Sequence, residues 1–120
     1  MGAVTRLRLA VLIGLAFAAC VGPTPAEDTP RSSEPPLYVD VRTPAEHSEG
    51  HVAGSILIPH DQIEQRWQEL SEYTHKPIVL YCRTGRRSGL ALDVLKNKGF
   101  TNVRNGGGLQ TLKAQGVPTQ

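Results

Sequence analysis

Four consecutive apolar residues, Ile78-Val79-Leu80-Tyr81, run directly into Cys82-Arg83-Thr84-Gly85-Arg86-Arg87-Ser88. Behind that loop, Leu90, Ala91, Val94 and Leu95 fall on one helical stripe, and Gly99 supplies a stop. The apolar run is short and half β-branched, so it reads as a buried strand. A strand feeding a helix through so short a loop leaves few arrangements, and each puts Cys82 at the strand end facing a helix N-terminus. Unpaired backbone N–H groups and the positive end of the helix dipole gather there. Arg83, Arg86 and Arg87 add cationic charge. Each of these effects favours thiolate over thiol. A cysteine that merely packs behaves as an inert small hydrophobe, and three arginines, Thr84 and Gly85 are poor company for one. Cys82 therefore reads as a nucleophile that meets an anion.

Strand and helix patterns alternate on both sides of this stretch. Leu37 to Val41 alternates into a strand that ends at Arg42. Thr43-Pro44-Ala45-Glu46 is a capping box, with Thr43 as N-cap and Pro44 at the first helical position, and its helix stops near Gly50. Residues 51–55 form a turn, and Ile56-Leu57-Ile58 a second strand closed by Pro59. Asp61 with Glu64 repeats the capping pattern ahead of a helix burying Ile63, Trp67 and Leu70. Thr101 to Arg104 reads as the final strand, Asn105-Gly106-Gly107-Gly108 as a turn needing positive φ at more than one position, and Leu109 to Ala114 as a turn or two of helix. Gly116 to Gln120 is expected to fray. The alternation implies an α/β fold with a small, mainly parallel β-sheet flanked by helices, whose ligands sit at the carboxyl ends of the strands. No internal repeat interrupts it.

The N-terminus has a different character. Arg6 and Arg8 precede an apolar run from Leu9 to Ala19, the layout of an export signal over residues 1–20, and the run is short for a membrane span. Residues 21–36 are rich in Pro, Thr, Ser, Glu and Gly and read as a disordered tether to a domain at 37–120. Phe17-Ala18-Ala19-Cys20 resembles a bacterial lipoprotein box, which implies lipidation at Cys20 and membrane attachment. Ordinary cleavage after Ala19 or Ala26 is the competing reading. Val21, rather than Asp, behind the cysteine would by the same resemblance permit sorting to the outer membrane of a Gram-negative cell. Of 13 basic residues, loss of Arg6 and Arg8 leaves 11 against 11 acidic ones, so the mature chain is near neutral and no nucleic-acid partner is expected. With Cys20 lipidated or removed, Cys82 is the only thiol and no internal disulfide can form. The glycine run lacks the residues of a phosphate cradle, and His47 with His51 has no third ligand near, so neither a nucleotide, a metal nor another cofactor is expected. A domain this small has a modest core, consistent with a monomer or a weak homodimer.

Several segments, in order, resemble the rhodanese domain family: Asp40-Val41-Arg42 with Pro44 and Glu46; Gly50-His51-Val52-Ala53-Gly54-Ser55 with Ile58-Pro59; Tyr81 through Ser88; and Gly99-Phe100 through Val103 with the glycine run ending at Leu109. The likeness spans residues 37 to 112, and size and export resemble the family's periplasmic single-domain thiosulfate sulfurtransferases. It implies a rhodanese-like α/β fold and ping-pong sulfur transfer through a Cys82 persulfide, from a small anionic sulfur donor to a thiol or cyanide acceptor. The backbone N–H groups from Arg83 to Ser88 would cradle the persulfide charge. Arg87, with Arg83 and Arg86, would orient the donor, and Ser88 would cap the helix or donate into the cradle. Gly85 and Gly89 would let the backbone turn and pack, and Thr84 lines the loop. Asp40 and Arg42 match supporting positions where a carboxylate could hold a loop arginine; an ordinary strand-end ion pair is the other reading. Related phosphatases of this fold place five residues between cysteine and arginine; here four separate Cys82 from Arg87, a tighter ring suited to one sulfur atom. The alternative function is a non-turnover sulfur carrier or binding module fed by a partner protein.

Overall fold

A computed structural model describes residues 34–120. The expected export signal, Cys20 and residues 21–33 of the expected tether lie outside the described residues. Within them the elements run β1 (Leu37–Asp40), α1 (Pro44–Glu49), β2 (Ile56–Leu57), α2 (Ile63–Arg66), a 3-10 stretch (Trp67–Tyr73), β3 (Ile78–Cys82), α3 (Arg86–Asn97), β4 (Val103–Gly108) and α4 (Leu109–Ala114). The four strands form one parallel sheet in the order β2-β1-β3-β4. β3 is central and all five of its residues are buried, as an uninterrupted apolar run requires when both faces of a parallel sheet are covered.

The period of two along β1 and β3 sorts the side chains into two cores. Val39, Val41, Ile78, Leu80 and Cys82 pack with Ile63, Leu70, Ala91, Leu95 and Phe100. Tyr81 packs on the opposite face with Val52 and Leu112, supported by Tyr38, Leu109 and Val117. Cys82 thus belongs to the face that carries α3, and Tyr81 to the face that carries α4. Trp67 meets Phe100 edge to face at 6.3 Å, a core role.

Several expectations are corrected. Leu90 is 52% exposed; the buried file of α3 is Ser88, Ala91 and Leu95, so the helix is rotated to bring Ser88 to the sheet beside Cys82. Asp61 does not cap α2: Gln62 holds that position, in helical backbone with no side-chain cap, and the helix tightens to 3-10 geometry after one turn. Residues 105–108 are not a turn but the last four residues of β4, paired with β3 through an irregularity between Leu80 and Cys82. Only Gly107 in that run has positive φ, at 85°. The run is glycine because the strand lies against its neighbours. A Cβ on Gly106 would stand 2.5 Å from Val79 Cγ1, and one on Gly108 would collide with the Arg83 carbonyl. The C-terminal residues do not fray: Gln120 exchanges backbone hydrogen bonds with His51 at 2.7 and 2.9 Å, and Ala53 donates to Pro118.

Candidate active site

Cys82 closes β3 and is fully buried among apolar neighbours on one side. On the other side the chain folds over it. Gly85 stands at the N-cap of α3 with φ 99°, a left-handed conformation that glycine adopts without strain, and it aims its N–H at Cys82 Sγ, 3.0 Å away. A Cβ on Gly85 would press on Gly107 Cα at 3.3 Å. The Ser88 hydroxyl sits 3.6 Å from the sulfur. Burial pushes the thiol up, but the Ser88 hydroxyl and N–H, then the N–H groups of Gly85 and Thr84, outweigh it and bring the pKa down to about 7. This is a sulfur held in a ring of donors, half ionised near neutral pH.

Ser88 neither caps α3 nor stands alone. Its hydroxyl bonds Asn105 Oδ1 at 2.7 Å; Asn105 Oδ1 also accepts from Gly107 N–H, and Asn105 Nδ2 donates to the Gly85 carbonyl at 2.8 Å. One β4 side chain therefore fixes both ends of the loop's descent into α3. Sequence reasoning missed Asn105 because it read the residue as part of a turn. Ser88 has a single proton: aimed at Asn105 it leaves the sulfur contact to an S–H donor, and aimed at the sulfur it stabilises thiolate.

The three loop arginines are not equivalent. Arg87 is bound by Glu46 through two parallel hydrogen bonds, Nη1 to Oε1 at 2.9 Å and Nη2 to Oε2 at 3.0 Å. Glu46 in turn completes the capping box of α1, accepting from the Thr43 N–H and hydroxyl. Arg87 and Thr43 together hold the Glu46 carboxyl at about 2. Arg83 has a side chain 75% exposed, with Glu46 Oε2 3.9 Å away. Arg86 is exposed, its N–H directed to Thr84 Oγ1 at 3.4 Å. Gly89 lies inside α3, where a Cβ would meet only Asn105 Nδ2 at 3.5 Å, an ordinary contact.

Asp40 and Arg42 are brought to one another, not to a loop arginine. Arg42 binds the buried Asp40 carboxylate through Nε at 2.8 Å and Nη2 at 2.6 Å, and reaches the Gly50 carbonyl. Asp40 Oδ2 also receives the Tyr81 hydroxyl at 3.2 Å and faces His47 Nδ1 at 2.9 Å. Burial opposes ionisation of Asp40, but bonds from Arg42 and His47 hold its pKa below the ordinary value. Tyr81 accepts from Val52 N–H, so this network fastens the 51–55 segment to β3. It is a buried strand-end ion pair with a structural task. The carboxylate that holds a loop arginine is Glu46. His47 and His51 stack at 3.8 Å, and no group of three metal-ligating side chains occurs among the described residues.

A cleft of about 310 Å³ opens beside the loop, lined by Arg42, Glu46, Glu49, Gly50, Arg83, Leu109 and Gln110. Chemically, the loop can hold a sulfur nucleophile and the extra negative charge of an anion formed on it, with cationic side chains at its mouth.

The Rhodanese-like domain profile matches residues 27–114. The chain is 35% identical to the thiosulfate sulfurtransferase PspE of Escherichia coli over 75 residues, which cover 62% of this chain and 72% of that protein. It is 34% identical to a sulfurtransferase of Allochromatium vinosum over 87 residues, 72% of this chain and 79% of the relative. Among solved structures it is similar to a rhodanese with anions from E. coli, with a TM-score of 0.65, 31% identity, and coverage of 72% of this chain and 98% of that one.

Proposed function

The chain belongs to the Rhodanese-like domain family, and from that premise we propose that it is a thiosulfate sulfurtransferase working through a Cys82 persulfide. The observation that carries this is the donor ring around Cys82 Sγ, which lowers the thiol to about 7 without a general base. The Cys82 thiolate attacks the outer sulfur of thiosulfate. A Cys82–sulfur bond forms, the sulfur–sulfur bond of the donor breaks, and sulfite leaves with the bonding pair. The terminal sulfur now carries the negative charge, which the N–H groups from Arg83 to Ser88 stabilise. An acceptor thiolate or cyanide then attacks that sulfur and returns Cys82 as thiolate, a two-step covalent cycle. Arg83 and Arg86, exposed and not bound in a short ion pair, attract the donor; Arg87, tied to Glu46 and interacting with Cys82 as well, shapes the loop and orients the donor beside the nucleophile.

Arg6, Arg8 and the apolar run to Ala19 support an exported, periplasmic protein, and the residues around Cys20 support its lipid attachment to a membrane. The test of function is thiosulfate:cyanide sulfur transfer by the full chain beside Cys82→Ser. Turnover in the first and none in the second is expected. No turnover in either, with Cys82 still open to alkylation, would overturn the enzyme reading in favour of a sulfur carrier loaded by a partner protein.

A further inference from the structure

The cleft beside the loop carries charge that the fold has not used. Cys82 itself does not line it, but two of its neighbours' positions do: Arg83 follows the cysteine in the chain, and Leu109 follows Gly108, the register partner of Cys82 on β4. Four charged side chains line it. Arg42 is committed to Asp40 and the Gly50 carbonyl, and Glu46 to Arg87 and Thr43. Two remain. The Arg83 guanidinium is 75% exposed and stands 3.9 Å from a carboxylate already held by Arg87. Glu49 is exposed and makes no ion pair among the described residues. The uncommitted lining is thus one cation and one anion, with the Leu109 side chain and the Gln110 amide beside them.

A simple anion or cation would satisfy only half of such a lining; a ligand carrying both an ammonium and a carboxylate satisfies both. We propose that this cleft is the acceptor subsite and that it selects an amino-acid-like thiol, with its carboxylate on Arg83 and its ammonium on Glu49. The inference rests on the sulfurtransferase reading and names the acceptor class for the second half-reaction. The acceptor's thiolate attacks the terminal sulfur of the Cys82 persulfide, the sulfur–sulfur bond to Cys82 breaks, and Cys82 leaves as thiolate while the acceptor departs as its own persulfide. The volume, about 310 Å³, suits a molecule the size of an amino acid or a short peptide.

The full chain is first loaded with thiosulfate and its mass measured for one added sulfur. Discharge is then followed with L-cysteine, cysteamine, 3-mercaptopropionate, mercaptosuccinate and 2-mercaptoethanol, each compared at equal thiolate concentration because thiol pKa values differ. L-cysteine is expected to show a KM about tenfold below that of 2-mercaptoethanol, the combined worth of two exposed charge contacts. Cysteamine and mercaptopropionate fall between. Glu49→Gln shrinks the advantage of L-cysteine, and Glu49→Lys transfers it to mercaptosuccinate. Loading followed by discharge that ranks the acceptors by thiolate reactivity alone, in wild type or unchanged in Glu49→Lys, overturns the cleft assignment and leaves the sulfurtransferase reading intact. Absence of the added sulfur overturns both.

Discussion

Glu46 and Arg87 meet across 41 residues of sequence through two parallel hydrogen bonds of 2.9 and 3.0 Å, and so tie the first turn of α1 to the first turn of α3. The same carboxylate closes the α1 capping box. One side chain therefore orders a helix start and the loop over Cys82 together. Glu46→Gln keeps a capping side chain but removes the charge, and we expect it to cost about 1–2 kcal/mol in chemical denaturation. The pH dependence follows from the depressed carboxyl. Its contribution is complete above the ordinary value of 4.5 and is lost as pH falls toward about 2, so the stability gap between wild type and Glu46→Gln should close across that window. A gap that stays constant to pH 2 would contradict the clamp.

The donor ring sets the reactivity of Cys82. The rate of its alkylation should rise with pH to a midpoint near 7. Ser88→Ala removes a lowering contact and should move that midpoint up, with less thiolate and slower alkylation at neutral pH. A midpoint unchanged in Ser88→Ala would mean the backbone N–H groups suffice.

Glycines in and beside β4 should respond differently to alanine. Gly108→Ala drives a Cβ into the Arg83 carbonyl and should cost about 3 kcal/mol or more while disturbing the loop. Gly89→Ala, inside α3 and with only an ordinary contact to Asn105, should be neutral or stabilise by about 0.5–1 kcal/mol. Thermal unfolding of the two variants checks both signs at once.

Tyr81→Phe keeps the ring in its core and deletes one hydroxyl. The buried Val52 N–H then loses its acceptor and Asp40 one donor. A loss of about 1–3 kcal/mol is expected, with the 51–53 backbone amides losing protection in hydrogen exchange. Unchanged protection there would show that the pairing with Pro118 and Gln120 holds this segment unaided.

The legible parts of this chain were those set by neighbours in sequence. The Thr43–Glu46 capping box spans three residues, and the β3 core strand is a run of apolar side chains; both are written locally and both stand in the structure. What escaped was set by distant partners. Nothing near Glu46 announces Arg87, and nothing near Asn105 announces Ser88 and Gly85. The glycine run looked like a turn because glycine is the usual turn residue. Its reason is close packing, with Gly106 against Val79 and Gly108 against the Arg83 carbonyl, which only the sheet order reveals. Asp61 failed as a cap because the chain enters α2 through Gln62 already in helical backbone. The C-terminal residues looked frayed because their partners, His51 and Ala53, lie far upstream.

The most direct measurement is the mass of the intact full chain after brief exposure to thiosulfate, with Cys82→Ser treated alongside. The mechanism requires the wild-type mass to rise by one sulfur atom, the increment to vanish on adding cyanide or a thiol, and the variant to stay unchanged. A wild type that gains no sulfur while Cys82 still alkylates with a midpoint near 7 would contradict it.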